Sequence, residues 1–121
     1  MLNLDTHIAV ALLDGSLSDK EFELIAREPL GISAIVLWEL AKLVQLHRLR
    51  LDLDSSEFKT FLRTITIIPI NWGIAFTSTR LDVHSDSADE IIAATSVVEQ
   101  IPLLTRDKKL LKSKIVPLAG V

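Results

Sequence analysis

Short apolar runs alternate along the chain with longer stretches in which apolar positions recur at helical spacing. The runs are too short for helices, and the third, from Thr64 to Ile70, is rich in β-branched residues, which favours strands. The stretches between them begin or end at capping and turn residues, as helices do. The predicted strands span residues 1–4, 31–33, 64–70, 101–105 and 114–118, and the predicted helices span residues 6–13, 19–27, 35–47, 54–63, 72–79 and 87–100. This alternation predicts an α/β fold with a parallel sheet covered on both faces.

Four acidic residues stand beside apolar segments or at the ends of predicted elements. Asp5 follows the first predicted strand, and Asp107 follows the fourth. Glu39 interrupts the apolar stripe of the third helix, and Asp89 lies in the first turn of the sixth. Ligands of parallel sheets bind outside the carboxyl ends of the strands, which is where these positions can converge. Because four neighbouring carboxylates cannot all ionise without a counter-charge, they indicate a divalent cation as the partner.

Two of these acids follow strands and also have a structural interpretation. Asp5 can cap the first helix, although Thr6 can serve there as well. Asp107 is flanked by basic residues, where an exposed acid is ordinary. The metal interpretation therefore depends on the four acids taken together.

The two helical acids differ in how well structure alone explains them. Asp89 falls at the third helical position after Asp86, the predicted cap, where a carboxylate suits the helix dipole. Glu39 has apolar residues at most neighbouring positions of its helix face, and only Lys42 is placed to pair with it. A solvated helix face does not have this composition.

Composition limits the possible classes of protein. With 121 residues, the chain is long enough for one domain, residues 1–121, and too short for two. It has no cysteine, which fits a cytoplasmic protein, and we expect neither a membrane span nor a signal peptide. Hydrophobic residues make up 49% and the mean hydropathy is +0.38, which predicts a subunit interface and hence a homodimer.

Charge argues against a surface that binds duplex nucleic acid. The net charge is −3, and setting the four acids aside leaves 12 acidic residues against 13 basic ones. The body of the protein is therefore nearly neutral around an acidic pocket. Contact with nucleic acid at that pocket would need a metal ion between them.

Four sequence blocks that contain these acids occur in an order and at a spacing that resemble the PIN-domain ribonucleases. Within that family the chain is most similar to the VapC-like toxins of toxin–antitoxin pairs. Leu4–His7 resembles the opening "LDTH" motif, and Ser33–Leu40 resembles the helix that ends in "EL". Ser87–Thr95 is similar to "PADRxIAAT", and Leu104–Leu110 is similar to "LxTxDxxL". The resemblance covers nearly the whole chain.

The resemblance implies a fold, an activity and a set of roles. The fold would be a PIN-like three-layer α/β fold with a short, mainly parallel central sheet flanked by helices. The activity would be endoribonuclease cleavage of RNA that depends on Mg²⁺ or Mn²⁺, as the toxin of a pair with a cognate antitoxin. The residues that match the family's metal ligands are Asp5, Glu39, Asp89 and Asp107. Thr6 and Thr105 would lie beside these ligands and support them.

The chain departs from the family pattern at two positions. Glu90 stands where the motif has arginine, which puts in question how a substrate phosphate is held. Ser87 stands where the motif commonly has proline, a change of little consequence.

Other polar and aromatic residues are weaker candidates. A basic cluster beside Asp107 suits an RNA backbone, and its predicted RNA contacts are Arg106, Lys108 and Lys109. His7 and His84 lie near the acidic blocks and can face the site. Trp38 and Trp72 are predicted in the core or in an interface.

Two other classes of protein stay open on the sequence. A catalytically idle PIN-like module that binds RNA or protein would keep the fold without the chemistry. A phosphoacceptor receiver domain also gathers acids at strand ends, but it pairs two acids near its first strand and needs a lysine after a late strand. Here Asp5 is single, and Thr105-Arg106 occupies the late position.

Overall fold

Strands and helices alternate through residues 1–120, which are the residues described by the computed structural model; Val121, the last residue of the predicted domain, lies outside them. In this range the strands are β1 (Leu2–Leu4), β2 (Leu30–Ser33), β3 (Thr66–Ile68) and β4 (Leu103–Leu104). The helices are α1 (Thr6–Asp14), α2 (Asp19–Ile25), α3 (Ala34–Gln45), α4 (Ser56–Thr64), α5 (Trp72–Ser78) and α6 (Ser87–Glu99). A 3₁₀ turn follows at Leu110–Lys112. The predicted α/β class is confirmed.

All strand pairs in the sheet are parallel, and the strand order is β3-β2-β1-β4. Leu4 is in register with Leu104, and the Asp5 amide donates to the Leu104 carbonyl at 3.1 Å. The residues that follow β1 and β4 therefore leave the sheet side by side at its carboxyl edge. This register brings Asp5 next to Thr105.

A buried asparagine ties the central strand to α6. The Asn3 side chain is inaccessible to solvent, and its Nδ2 donates to the Ile92 carbonyl at 3.0 Å and to the Ser96 hydroxyl at 2.9 Å. An unpaired buried donor is energetically costly, so these two hydrogen bonds stabilise the fold and hold β1 and α6 in one relative position. Asn3 thus fixes the position of the helix that carries Asp89.

Apolar side chains from both faces of the sheet form the core. The largest fully buried ones are Leu2, Leu4, Ile8, Ile32, Leu40, Ile74, Ile92, Leu103 and Leu110. None of the helices in residues 1–120 is both long enough and apolar enough to cross a membrane.

Local chemistry sets the ends of the elements. A capping box between Ser18 and Glu21 begins α2, and the Asp86 carboxylate, which accepts from the Asp89 amide, begins α6. The α3 helix ends before the predicted boundary because His47 adopts a left-handed conformation (φ 58°). The strand predicted from residue 64 is shorter because Thr64 still belongs to α4 and Pro69 lacks an amide donor.

The predicted fifth strand, residues 114–118, is wrong. This segment makes only one isolated bridge, between Leu118 and Leu103. Side chains capture its backbone instead: the Lys114 amide donates to Asp82 Oδ2 at 2.7 Å, and the Val116 amide donates to Ser113 Oγ at 3.0 Å. Amides bound in this way cannot form a ladder with β4.

Candidate metal-binding site

Asp5 begins the site at the end of β1. It is the N-cap of α1, and its Oδ1 accepts from the Thr6 amide at 2.8 Å. Its Oδ2 accepts from the Thr105 hydroxyl at 2.6 Å. The side chain is buried, and burial raises its pKa against the lowering effect of these two hydrogen bonds. The cap role and the predicted site role therefore fall on one carboxylate.

Glu39 reaches the site from α3. It is half-buried, and its Oε1 accepts a hydrogen bond from the Thr6 hydroxyl. Burial raises the pKa of Glu39, and the nearby charges of Asp86 and Asp5 raise it further. Lys42, the ion-pair partner that the helix spacing offers, instead donates to Gln45 at 3.0 Å. Glu39 therefore does not pair with Lys42, and the charged groups near it include Asp5 and Asp86.

Asp89 contributes the most perturbed carboxyl of the site. It is only 7% exposed on the first turn of α6. Burial, together with the charges of Asp5 and Asp86, raises its pKa to about 8. A carboxyl in this environment is held in its neutral form unless a cation lies nearby.

Asp107 completes the group from the loop after β4. Its Oδ1 accepts from the Lys109 amide at 2.7 Å and from the Leu110 amide at 3.2 Å. Burial raises the pKa of Asp107, but these amides outweigh it, so the net shift is downward. The Asp107 amide in turn donates to the Thr105 hydroxyl oxygen at 3.0 Å, so Thr105 links Asp107 to Asp5.

Three hydroxyl groups connect the four predicted acids. Thr6 and Thr105 occupy the supporting positions expected of them, and Ser85 donates to Asp89 Oδ2 at 3.1 Å and to Asp107 Oδ2 at 3.2 Å. The acids come from β1, α3, α6 and the loop after β4, and they face one another at the carboxyl edge of the sheet. The fold therefore places all four in one neighbourhood.

The chemistry of this group fits a hard divalent cation. The donors supplied by the four acids and the three hydroxyl residues are all oxygens, the ligand type that Mg²⁺ and Mn²⁺ prefer. Within residues 1–120, no lysine or arginine forms an ion pair with any of the four acids. In that range, no three acidic or histidine side chains are close enough together, as they stand, to coordinate one metal ion. An ion would therefore retain water ligands or draw the carboxylates inward.

The basic residues beside the site are of two kinds. Arg106 is bound to Glu21, with Nε–Oε2 at 2.8 Å and Nη2–Oε1 at 2.7 Å, and it also donates to the Ser16 carbonyl. Lys108 and Lys109 are exposed. Of the three predicted RNA contacts, the two lysines are thus available, whereas Arg106 clamps the loop after β4 onto α2.

The histidines differ in their relation to the site. His7 lines a cavity of about 270 Å³ together with Arg106 and Asp107, so it adjoins the acids. The His84 side chain is 94% exposed and lies 3.7 Å from Glu90. His84 is a surface residue at the edge of the site.

Two residues of the site are not predicted from the sequence: Ser85, and Asp86, whose only predicted role is that of a cap. Asp86 is a fifth acid whose charge acts on both Glu39 and Asp89. The only sequence signal for Ser85 was its hydroxyl, placed just before the cap and four residues before Asp89.

Comparisons with known proteins agree with this fold. The family model of the PIN domain matches residues 3–115, so the chain belongs to the PIN domain family. A toxin–antitoxin complex from Klebsiella pneumoniae contains a similar chain, with 25% identity, 93% of this chain and 91% of that chain covered, and a TM-score of 0.70. No curated protein sequence matches the chain significantly.

Two further solved structures share the fold at lower identity. One is VapBC2 from Rickettsia felis bound to a DNA fragment from their promoter, with 22% identity, 98% and 97% of the two chains covered, and a TM-score of 0.75. The other is FitAcB from Neisseria gonorrhoeae, with 22% identity, 91% and 90% covered, and a TM-score of 0.62. The PIN-like fold expected from the sequence resemblance is confirmed.

Proposed function

We propose that this protein is an endoribonuclease that depends on Mg²⁺ or Mn²⁺ and acts as the VapC-like toxin of a toxin–antitoxin pair. The observation that carries the proposal is a set of four neighbouring carboxylates that form no ion pair with a lysine or arginine in residues 1–120. Asp5, Glu39 and Asp89 have raised pKa values in this setting, so a divalent cation would relieve a real electrostatic cost. Membership in the PIN family and the similarity to chains of toxin–antitoxin complexes support this assignment.

The four acids would hold the ion, which when bound activates water and neutralises charge on a phosphodiester. Thr6 orients Glu39, and Thr105 orients Asp5 and binds the Asp107 amide, so the carboxylates keep their directions. Lys108 and Lys109 would bind the RNA backbone on the side of Asp107.

RNA cleavage by the purified protein, with Mg²⁺ and then with EDTA, tests the proposal against its alternatives. We expect cleavage with Mg²⁺ and none with EDTA. An idle PIN-like module would bind RNA without cutting it under either condition. A receiver domain would instead take up phosphate from a small phosphodonor, and labelling of Asp5 would reveal it.

We expect the antitoxin to inhibit by placing an arginine or lysine among the four acids. Such a side chain supplies the positive charge that the metal would otherwise supply. Binding of the antitoxin should therefore compete with Mg²⁺, so its inhibition constant should rise in proportion to the Mg²⁺ concentration. Cleavage assays with the co-purified antitoxin at several Mg²⁺ concentrations measure this dependence.

A matched pair of antitoxin variants makes the test specific. Reversing the charge of its basic residue that faces the site should weaken inhibition, whereas the same change at a basic residue elsewhere should not. Inhibition that is equally strong at every Mg²⁺ concentration, and indifferent to both changes, would rule out this mechanism.

The predicted homodimer has a candidate surface, which we call the α5 patch: Trp72, Phe76 and Val98. All three side chains are exposed, and Trp72 is 78% exposed, which excludes the predicted core position for this residue. The ring centroids of Trp72 and Phe76 lie 5.9 Å apart. Val98 lies close to Gly73, the residue that follows Trp72. Exposed aromatic residues at this density are typical of interfaces.

We expect Trp72→Asp to convert a dimer into a monomer at micromolar concentration. A charge at the centre of an apolar interface is left desolvated and unpaired, which costs several kcal/mol. Light scattering measures the mass, and Phe22→Asp is the control because Phe22 is 62% exposed on α2, outside the patch. A wild-type protein that is monomeric would contradict the dimer, and dissociation by both variants would contradict the choice of surface.

A further inference from the structure

Ser85 joins two acids that belong to different parts of the chain. Its hydroxyl lies 3.1 Å from Asp89 Oδ2 on α6 and 3.2 Å from Asp107 Oδ2 on the loop after β4. A serine hydroxyl carries one proton, so it donates to one carboxylate at a time or is shared between both. In either case, one group contacts both oxygens.

The backbone around Ser85 is held by the start of α6. The Ser85 amide faces Glu90 Oε2 at 3.4 Å, and the next residue, Asp86, caps the helix through the Asp89 amide at 3.0 Å. Glu90 is the residue that stands where the resembled motif has arginine. Its carboxylate is turned toward this loop, so at this position the chain has an acceptor for the loop's backbone.

Within residues 1–120, no other hydroxyl group contacts both carboxylates, and the two side chains also hydrogen-bond directly to each other. Asp107 is fixed on its other oxygen by the Lys109 and Leu110 amides. Asp89 is fixed through its helix, which Asn3 anchors to β1. The direct hydrogen bond between Asp89 and Asp107 is lost when both carboxylates ionise to bind a cation, so Ser85 is then the group that holds the second oxygen of Asp107 beside Asp89.

We propose that Ser85 is a positioning residue that holds Asp89 and Asp107 together for a divalent cation. The inference rests on the metal site of the proposed function. Ser85 acts through the two carboxylates, so its loss should weaken binding of the ion even when no RNA is present. Groups that orient metal ligands contribute about 10–100-fold to metal affinity.

Calorimetric titration of the purified full-length protein with MgCl₂ or MnCl₂ tests this role without an activity assay. We expect Ser85→Ala to weaken Mn²⁺ binding by at least about tenfold. Ser85→Thr, which keeps the hydroxyl, should bind within about threefold of wild type. Ser87→Ala is the matched control, because Ser87 is an exposed serine two residues away and its hydroxyl makes no hydrogen bond in residues 1–120.

A second pair of variants covers the case in which Ser85→Ala folds poorly. Threonine and valine have nearly the same shape, so Ser85→Thr and Ser85→Val differ mainly in the hydroxyl, and valine alone should lose affinity. Equal Mn²⁺ affinity of the serine, alanine and valine forms would overturn the role of Ser85 and leave the proposed function intact. A wild-type protein that binds neither ion would overturn both.

Discussion

Asp89→Asn should abolish RNA cleavage and leave the protein folded. The asparagine keeps the size of the side chain but removes an anionic oxygen from the proposed ion, and Asp5→Asn should have the same effect. Because residues that only orient metal ligands contribute about 10–100-fold, we expect the loss of a ligand to exceed a hundredfold. Initial rates of cleavage at saturating Mg²⁺ measure the loss.

The fold of these variants should be at least as stable as wild type when no metal is present. Each removes one of several repelling carboxylates, so thermal melting with EDTA should show an equal or higher midpoint. Asp19→Asn is the matched control, because Asp19 is exposed in the first turn of α2 and should keep full activity. If Asp89→Asn or Asp5→Asn unfolded in EDTA, the acids would be structural, and the loss of cleavage would say nothing about a metal.

The metal-free protein should become less stable as the pH rises from 5 to 9. The pKa of Asp89 is raised from 3.8 to about 8 in the folded protein, so between these values the folded state holds a proton that the unfolded state has lost. Stability from this group is complete below pH 3.8 and is lost as the pH rises through 8. The slope can reach about 1.4 kcal/mol per pH unit for one proton. Glu39 and Asp5, whose pKa values are also raised, act in the same direction.

An opposite dependence should appear in acid. The Arg106 guanidinium lowers the pKa of Glu21 from 4.5 to about 2, so this pair stabilises the fold above pH 4.5 and is lost as the pH falls toward 2. Melting temperatures in EDTA from pH 3 to 9 should therefore pass through a maximum near pH 5.

Both Mg²⁺ and the Asp89→Asn substitution should remove the loss of stability at alkaline pH. Mg²⁺ binds ionised carboxylates, so it should stabilise the protein more as the pH rises. Asp89→Asn should flatten the profile between pH 6 and 9 in EDTA. A wild-type profile that is already flat there would contradict the raised pKa of Asp89.

The alternation of apolar runs and capped helices was enough to predict the sheet and six helices, because burial and caps are local signals. The segment 114–118 failed as a strand for a reason that the apolar pattern does not contain. Its amides bind Asp82 and Ser113, and the contact with Asp82 depends on a turn more than thirty residues earlier. Whether a backbone amide pairs with a neighbouring strand or with a side chain depends on tertiary contacts, which the apolar pattern does not contain.

The four acids were predictable because together they lie at strand ends and on the neighbouring helices, whereas Ser85 belongs to no such pattern. A serine before a helix cap is ordinary, and its contact with Asp107 spans 22 residues. The ion pair between Arg106 and Glu21 was not predictable for the same reason, because the two residues are 85 positions apart in sequence. The sequence therefore predicts the four acids but not Ser85, the fifth acid Asp86 or the pairing of Arg106.

Diffraction from crystals soaked in MnCl₂, recorded at a wavelength where manganese scatters anomalously, tests the metal site most directly. We expect an anomalous peak within direct or water-mediated contact of Asp5, Asp89 and Asp107, with Glu39 on its other side, and no peak in the Asp89→Asn protein. A fully soaked crystal with no peak among these four carboxylates, or with its only ordered manganese elsewhere, would contradict a metal-dependent nuclease centred on them.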